Sequence, residues 1–284
     1  MRERIEAALG VRVRSEERAG GGCIADSRCF YLSDGQTVFA KQVATRPESL
    51  LAEARGLREL ATAKNGPRIP KVLYVESGLL ILEAIVHGNP SPEGWEQFGR
   101  GFANLHRTTQ PTFGFTEDNW IGTSSQRNVV SGATASDWTS FYWYARLEPQ
   151  FRRAEGAGHA PSALRKAAAL IEQRLPSLLA GTAEPPALLH GDLWSGNVMW
   201  NGAEGALIID PAVYYGHREA DLGMTFLFGG FPPNFYAAYE AAFPLPEGWR
   251  ERIALYELYH QLNHLNLFGS GYLAGVLNRC AAYQ

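Results

Sequence analysis

The feature that most constrains this sequence is a short polar segment, His190-Gly191-Asp192-Leu193-Trp194-Ser195-Gly196-Asn197, that leads directly into a predicted β-hairpin. The two strands of the hairpin are the runs 197–200 and 205–210, and the turn between them contains Asn201-Gly202. A short hairpin returns the chain to the level at which it began, so Asn197 and Asp210 are expected to lie close together. The hairpin therefore predicts that Asn197, five residues after Asp192 in the chain, meets Asp210.

These three side chains have the order and spacing of the catalytic loop of kinases. In that loop an Asp accepts the proton of the attacking hydroxyl, and an Asn five positions later holds a metal ion together with a later Asp. Mg²⁺ prefers hard oxygen ligands of this kind. Isolated Asp and Asn residues in loops are mostly turn or cap residues, but the ordered set is not typical of turns. It predicts that Asp192 is a general base and that Asn197 and Asp210 bind Mg²⁺.

A lysine and a glutamate in the first part of the chain are the predicted phosphate pair. Lys41 alternates with Phe39 and Val43 in a predicted strand, so its ammonium points to an apolar face, where it needs a partner. Glu53 lies on the apolar stripe of a predicted helix and points inward in the same way. A strand Lys paired with a helix Glu is the ion pair that kinases use to position the α/β-phosphates of ATP. The alternative is a snorkelling lysine and a solvated glutamate on the surface.

Two further segments are predicted to contact ATP. Gly20, Gly21 and Gly22 precede the first predicted strand, where backbone N–H groups could cradle phosphates. The segment does not match G-x-G-x-x-G, and three glycines also suit a flexible loop. Glu83 and Ile85, at the end of a predicted strand, are expected to offer main-chain groups to adenine.

The order of predicted elements indicates two lobes. Two hairpins and one helix, predicted over residues 48–62, precede a linker at 88–92, and the chain beyond it is mostly helical. We therefore predict an α+β class and a bilobal protein-kinase-like fold. Its small N-terminal lobe, residues 1–86, is an antiparallel β-sheet with one helix and binds ATP. Its larger C-terminal lobe, residues 87–284, is mainly helical and is the catalytic and substrate-binding lobe.

Composition and charge exclude several classes of protein. The net charge is −3, so no overall basic field is present that would attract nucleic acid. No run of 18 or more uncharged apolar residues and no apolar N-terminal segment occur, which predicts a cytoplasmic protein that does not enter a membrane. Cys23, Cys29 and Cys280 have no C-x-x-C spacing, so neither a zinc site nor a disulfide framework is predicted.

Beyond these features, the sequence resembles the fructosamine (ketosamine) 3-kinase family, which is related to aminoglycoside and choline kinases. The form Asp-Leu-Trp-x-Gly-Asn at 192–197 separates it from those relatives, and the other matching segments are 20–24, 39–41, 53–57, 105–107, 118–122, 146–150, 215–222 and 262–269. The resemblance implies phosphorylation of the 3-hydroxyl of a ketosamine with ATP and Mg²⁺. The substrate would be a fructosamine, ribulosamine or erythrulosamine adduct of a small amine or a protein, and the product would decompose and free the amine (deglycation). It also implies that Asp221 anchors the catalytic loop.

The predicted sugar pocket mixes aromatic faces with neutral hydrogen-bonding groups and one fixed charge. Its candidate residues are Trp120, Trp194, Arg218, Asn263, His264 and Asn266. Such a lining suits a polyhydroxylated sugar better than a polycationic aminoglycoside, which would need several carboxylates. Two alternatives remain open: a kinase for another hydroxylated amine of the aminoglycoside or choline type, and a nucleotide-binding pseudokinase.

Two residue patterns allow more than one interpretation. Cys23 is the cysteine of the family's phosphate loop, and it is either an inert thiol or a redox-sensitive residue that links two protomers. A monomer or a homodimer is therefore expected. His260 and His264 have the i, i+4 spacing of a zinc pair, but Gln261 replaces the Glu that a zinc protease needs. They are interpreted as a polar helix face that lines the sugar pocket or is satisfied in the core.

Overall fold

The computed structural model describes residues 1–19, 25–202 and 205–283. Gly20, Gly21, Gly22 and Cys23 lie outside the described residues, so the predictions of a phosphate loop and a redox cysteine stay predictions. Within the described ranges, no helix is both long and apolar enough to cross a bilayer.

The N-terminal lobe is built on one five-stranded antiparallel sheet with the strand order β1-β2-β3-β5-β4. The turn between β2 and β3 forms where predicted, and the Asp34 carboxylate accepts the Gln36 N–H at 3.0 Å. The elements of this lobe are α1 (Arg2–Leu9), β1 (Val13–Arg18), β2 (Asp26–Leu32), β3 (Thr37–Gln42), α2 (Ser49–Leu60), β4 (Val72–Glu76) and β5 (Leu79–Glu83).

Each face of this sheet is covered by a different helix. The apolar stripe of α2, Leu50, Ala54 and Leu57, packs with Leu80 and Leu82 of β5. On the opposite face, Ile5 of α1 is fully buried in a cluster with residues of β1, β2, β3 and β5. Burial on both faces explains why the central strands β3 and β5 are largely buried.

The C-terminal lobe is mainly helical. It contains α3 (Pro92–His106), β6 (Asn119–Ile121), β7 (Ser124–Gln126), α4 (Ala133–Ser136), α5 (Trp138–Phe141), a π-helix (Tyr142–Leu147), α6 (Glu148–Gly156), α7 (Ser162–Leu178), β8 (Ala187–Leu189), β9 (Val198–Asn201), β10 (Gly205–Ile208), β11 (Tyr214–Gly216), α8 (Arg218–Phe226), α9 (Pro233–Ala242), α10 (Ile253–Phe268) and α11 (Leu273–Ala281).

Two short strand pairs fix the segment that carries the predicted chemistry. β8 ends immediately before His190, and β11 pairs with it antiparallel, with Leu189 opposite Tyr214. β9 and β10 form the predicted hairpin, with Val198 opposite Ile208. The catalytic loop, residues 190–197, is therefore held by a strand at each end.

The central helix of this lobe, α10, is buried along most of its length. A helix in such a position is expected to be apolar all round. However, Glu257, His260, Gln261 and Asn263 are also buried in it. Buried polar groups need partners or a function, so these positions point to the neighbourhood of the site.

The π-helix contains a buried arginine. The Arg146 side chain is fully buried, its guanidinium carbon lies 3.9 Å from the centre of the Tyr214 ring, and it donates to Asn128 Oδ1 at 2.7 Å. Single-turn π-helices are uncommon and are often found at functional sites. Here the π-helix positions Arg146 against β11, the strand that supports the catalytic loop.

The predicted fold class is confirmed: an antiparallel sheet lobe precedes a mainly helical lobe. The sequence interpretation of one N-terminal helix missed α1, whose alternating charges hide its apolar face. The boundary at residues 86–87 lies in the connection from β5 to α3 and stays a prediction.

A matched pair of glycines in α3 tests the packing of this helix against α9. A Cβ at Gly99 would lie 2.3 Å from the Phe235 carbonyl oxygen, whereas a Cβ at Gly101 would make only ordinary contacts, the shortest at 3.4 Å. We expect Gly99→Ala to lower the free energy of unfolding by about 1–3 kcal/mol because the helices must separate. Gly101→Ala should raise it by about 0.5–1 kcal/mol because alanine is the better helix former. Urea unfolding of both variants measures the difference, and equal effects would contradict the close contact.

Candidate active site

A buried carboxylate from α8 holds the start of the catalytic loop. Asp221 accepts the backbone N–H of His190 at 2.6 Å and that of Gly191 at 2.8 Å, and His106 Nε2 lies 3.2 Å from it. Burial alone would raise the pKa of Asp221, but these donors outweigh it and the pKa is lowered. Asp221 is therefore ionised and acts as a fixed anchor for the loop, as the resemblance implied.

His190 links the loop to the strand that precedes Asp210. Its Nε2 lies 2.9 Å from the Ile209 carbonyl and must be the donor, because a carbonyl only accepts. Its Nδ1 is then the acceptor for the Asp192 N–H at 3.3 Å. Burial lowers the pKa of His190, which keeps the ring neutral as this pattern requires. The ring holds the backbones at Asp192 and Ile209 in a fixed relation.

Asp192 projects into a cavity of about 320 Å³. About a quarter of its side chain is exposed, and no hydrogen bond to its carboxylate is found among the described residues. Burial, together with the negative charges of Asp210 and Asp221, raises the pKa of Asp192 to about 7. A carboxylate with a raised pKa and no fixed partner is a suitable general base.

Asn197 and Asp210 are brought together as the hairpin predicts. Ile209 donates its N–H to the Asn197 carbonyl at 3.0 Å, which places the next residue, Asp210, beside Asn197. The Asn197 amide nitrogen donates to the Asp192 carbonyl at 2.8 Å, so its side-chain oxygen remains for a ligand. One amide oxygen and one carboxylate fit a Mg²⁺ ion that takes its other ligands from phosphates and water.

Lys41 bridges the two lobes at this point. Its ammonium lies 2.7 Å from Glu53 Oε1, as the strand and helix patterns predict, and it also contacts Asp210 Oδ1. Burial alone would lower the pKa of Lys41, but the two carboxylates outweigh it and raise the pKa. The lysine is therefore charged, and it pairs with the predicted metal ligand as well as with Glu53.

Asp210 adopts an unusual backbone conformation. Its φ of 55° lies in the left-handed region, which residues other than glycine rarely occupy. Such strain is often found at functional sites, where the surrounding structure holds it in place.

The predicted adenine-contact residues lie at the edge of the sheet lobe. Glu83 is the last residue of β5, and its N–H donates to the Lys71 carbonyl at 3.0 Å. Its carboxylate is paired with Arg68 at 2.9 Å. The side chain is thus occupied, and only a main-chain carbonyl of Glu83 and the main chain of Ile85 could serve adenine. Their role stays a prediction.

The structure places Trp194 and His264 of the predicted sugar residues beside Asp192. The cavity is lined by Asp192, Trp194, Met224, Phe228, His264, Phe268 and Tyr272. Trp194 folds back over Gly196, where a Cβ would lie 2.3 Å from the indole ring. The Gly in the Asp-Leu-Trp-x-Gly-Asn motif is therefore what allows the indole to occupy this position.

The other four predicted sugar residues do not line this cavity. Arg218 is buried, and its guanidinium donates two hydrogen bonds to Glu184, at 2.6 and 2.8 Å, and two to backbone carbonyls. The structure thus corrects its assignment to the sugar pocket. Asn263 is buried and 3.3 Å from Gln150 Nε2, Asn266 donates to Gln150, and Trp120 is on β6.

His260 has a place that its sequence pattern did not reveal. Its Nδ1 is buried without a hydrogen-bond partner among the described residues and lies 3.8 Å from Asp192 Oδ1. Burial and the neighbouring His264 lower the pKa of His260 to about 3, so the ring is neutral. It adds a polar but uncharged neighbour to the base.

Met224, Phe228, Phe268 and Tyr272 were missed by sequence reasoning. They come from the end of α8, the turn after it, the end of α10 and the turn before α11. The sequence signals nothing about them, because methionine and aromatic residues at such positions usually pack in a core.

A sequence model of the fructosamine kinase family matches residues 2–281. A Synechocystis protein named "Probable ketoamine kinase" is 37% identical over 280 residues, with 95% of this chain and 91% of the relative covered. The chloroplastic protein-ribulosamine 3-kinase of Arabidopsis thaliana is 37% identical over 266 residues, with 91% and 79% covered.

The solved structures agree with this. A protein from Thermobifida fusca, solved as a candidate fructosamine-3-kinase, has a TM-score of 0.89 and 35% identity, with 100% of this chain and 98% of that chain covered. An aminoglycoside phosphotransferase crystallised with AMP-PNP and hygromycin B has a TM-score of 0.68 at 15% identity, which shows a common fold. The protein-kinase-like fold is thereby confirmed.

Two aspartates of this site should have opposite effects on stability. The folded-state pKa of Asp192 is raised to about 7 from an ordinary value of 3.8, so ionisation destabilises the fold as pH rises from about 4 to 7. Without nucleotide or Mg²⁺, Asp192→Asn should therefore be more stable than wild type above pH 7, by roughly 1–4 kcal/mol. The advantage should shrink towards pH 4, as followed by thermal unfolding across this range.

The matched control is Asp221→Asn. The pKa of Asp221 is lowered, so its stabilising effect is present above an ordinary pKa and is lost as pH falls. An amide would also turn an N–H group towards the donors of His190 or Gly191. We expect a loss of about 3 kcal/mol or more at pH 7. A stabilised Asp221→Asn, or a destabilised Asp192→Asn at pH 8, would contradict the electrostatics of the site.

Proposed function

The chain belongs to the fructosamine kinase family, and we propose that it transfers the γ-phosphoryl group of ATP to the 3-hydroxyl of a ketosamine. The observation that supports this proposal most directly is the cavity at Asp192. It combines a carboxylate with a raised pKa and a lining of aromatic and neutral side chains. The kinase class follows from the family and from its ribulosamine 3-kinase relatives. What we propose beyond this class is the acceptor, the 3-hydroxyl of a ketosamine.

Asp192 is the base in this proposal. The acceptor hydroxyl donates to the Asp192 carboxylate and gives up its proton to it as the oxygen bonds to the γ-phosphorus, while the bond from that phosphorus to the β–γ bridging oxygen breaks and ADP leaves. The backbone at Asp192 is fixed by three hydrogen bonds. Asp221 accepts the N–H groups of His190 and Gly191, and the His190 ring accepts the N–H of Asp192. The residual freedom of the carboxylate allows it to accept from the substrate.

Asn197 and Asp210 would hold Mg²⁺, which would supply positive charge to the β- and γ-phosphate oxygens. Lys41 exchanges its Asp210 partner for a phosphate when ATP binds, while Glu53 keeps the ammonium in position. Every charged group that this chemistry needs is present, which disfavours the pseudokinase alternative.

The cavity also distinguishes acceptor classes. Among its lining residues Asp192 is the only acid, so the several ammonium groups of an aminoglycoside would find no ring of carboxylates. Aromatic faces and a neutral imidazole suit a sugar that carries one amine.

The first test is a coupled ADP-release screen across ketosamines, aminoglycosides, choline and free sugars. We expect turnover of ketosamines, for example ribulose-lysine or morpholino-sugars, and negligible turnover of kanamycin and choline. Asp192→Asn should keep ATP binding but lose about 10²-fold or more in kcat. A preference for an aminoglycoside or for choline over every ketosamine would overturn the acceptor while leaving the kinase class intact.

A double-mutant cycle tests the phosphate pair. Lys41→Ala should lower kcat/KM for ATP by roughly 10²–10³-fold, the usual effect of removing one charge-stabilising group. Glu53→Ala should have a similar effect because it releases the lysine, and the double variant should be no worse than Lys41→Ala. Losses that simply add would contradict the pairing. Unfolding temperatures of the three variants control for loss of fold.

Three expectations from the sequence stay predictions: a cytoplasmic location, a monomeric or homodimeric state, and a link through Cys23 under oxidising conditions. Cys29 is half-buried and Cys280 is buried, and both are free thiols. Burial raises the pKa of both, so neither is a reactive thiolate.

A further inference from the structure

Five rings form a continuous wall around the mouth of the Asp192 cavity. We call this set, Trp194, Phe228, His264, Phe268 and Tyr272, the aromatic collar. Phe228 stands in the middle, with its ring centre 5.4 Å from that of Trp194 and 5.3 Å from that of His264, both in edge-on geometry. His264 in turn stacks on Phe268 and Tyr272 at 5.6 and 5.3 Å.

The collar remains partly open to solvent. Phe228 is 49% exposed and Phe268 is 59% exposed. Apolar rings normally reduce such exposure by packing inward. Here two large rings stay at the rim of a cavity whose floor holds the catalytic base, so their exposed faces are available to a molecule that enters it.

The backbone at Phe228 is strained to achieve this. Its φ of 61° and ψ of 34° are left-handed, and the next two residues, Gly229 and Gly230, also have positive φ. The turn thus requires positive φ at three consecutive residues, which glycine adopts freely and which strains other residues. Glycine is used at two of the three positions. A phenylalanine at the third indicates that its ring is retained for a reason other than stability.

His264 adds a defined hydrogen-bond acceptor to the collar. Its Nδ1 lies 2.7 Å from the His260 carbonyl and must be the donor in this bond. Burial lowers the pKa of His264, so the ring is neutral and its Nε2 carries a lone pair. No partner for Nε2 is found within the described residues.

These groups match the amine end of the substrate. In a ketosamine the amine is on C1 and the reacting hydroxyl is on C3, so only C1, C2 and C3 separate the nitrogen from the oxygen that Asp192 must contact. The amine is therefore forced into the same cavity. A protonated amine is attracted to aromatic faces by about 0.5–2 kcal/mol, and an imidazole lone pair can accept one of its N–H groups.

We infer that the aromatic collar binds the protonated amine of the ketosamine, and that Phe228 is a specificity-determining residue that selects amine-bearing sugars over uncharged ones. The inference rests on the proposed function, because it assigns a subsite to that substrate. The same chemistry is offered by a free alkylamine adduct and by a glycated lysine side chain of a protein.

The test uses two acceptors that differ in one group. One is a 1-alkylamino-1-deoxyketose, and the other is the 1-O-alkyl ketose with an uncharged ether oxygen in place of the amine. For each enzyme, kcat/KM is measured for both acceptors, and their ratio gives the amine preference. In wild type the ratio should exceed one.

Phe228→Asn removes the ring and places a residue that tolerates the left-handed region. We expect the amine preference to fall by roughly 2- to 30-fold, through KM rather than kcat, since the ring contacts a part of the substrate that does not react. The unfolding temperature should not fall, because the backbone strain is relieved. Phe268→Ala, in ordinary helix geometry, should lower the preference in the same direction.

Tyr144→Ala is the control, because Tyr144 is 47% exposed but does not belong to the collar. It should leave the preference unchanged. A Phe228→Asn enzyme with the wild-type preference, or with equal losses on amine and ether, would overturn the inference while leaving the kinase function standing. Failure of wild type to phosphorylate either ketose would instead overturn the proposed function.

A second pair of acceptors separates the two sources of the amine. A free ketosamine and a protein carrying the same sugar on its lysines are compared with wild type and Phe228→Asn. An equal loss of kcat/KM in Phe228→Asn for the free ketosamine and for the glycated protein supports a subsite that binds only the amine. A loss on neither would contradict the collar.

Discussion

The geometry of the site depends on one buried anion. Asp221 accepts two consecutive backbone N–H groups of the catalytic loop and is itself held by His106 of α3. A neutral side chain could not compensate these donors equally well, because bonds to an ionised acceptor are shorter and stronger. The charge of Asp221 therefore fixes the start of the loop, whereas the Asp192 carboxylate has no hydrogen-bond partner among the described residues.

The acids of the site also explain the position of Lys41. The negative charges of Asp210 and Asp221 help burial to raise the pKa of Asp192, so three acids act on one small region. Lys41 is the cation that contacts both Glu53 and Asp210, and it joins a strand of one lobe to the end of a hairpin in the other. In the proposed function, a phosphate of ATP replaces the contact of Lys41 with Asp210, and Glu53 keeps the ammonium in position.

The sequence predicted those parts of the site that local patterns encode. The alternation of the strand predicted that Lys41 points to an apolar face, and the apolar stripe of the helix predicted that Glu53 points inward. The spacing around a hairpin predicted that Asp192, Asn197 and Asp210 belong to one site. Contacts that depend on distant partners could not be predicted in this way. Arg218 resembled a pocket residue because its partner Glu184 is 34 positions away. Phe228 carried no signal, because its importance comes from a backbone conformation and from rings on other elements.

The π-helix imposes a constraint of a different kind. A turn of π-helix contains one residue more than a turn of α-helix, and the extra residue sets the angle at which Arg146 meets Tyr214 and Asn128. Deleting one residue between 142 and 147 would let regular α-helix join α5 to α6 with little rotation of one relative to the other, because the π-turn takes up the extra residue. The widened turn that directs Arg146 towards Tyr214 and Asn128 would then be lost. In this segment the number of residues is therefore restricted in its own right, and a shorter segment would be a different structure even if every remaining side chain were kept.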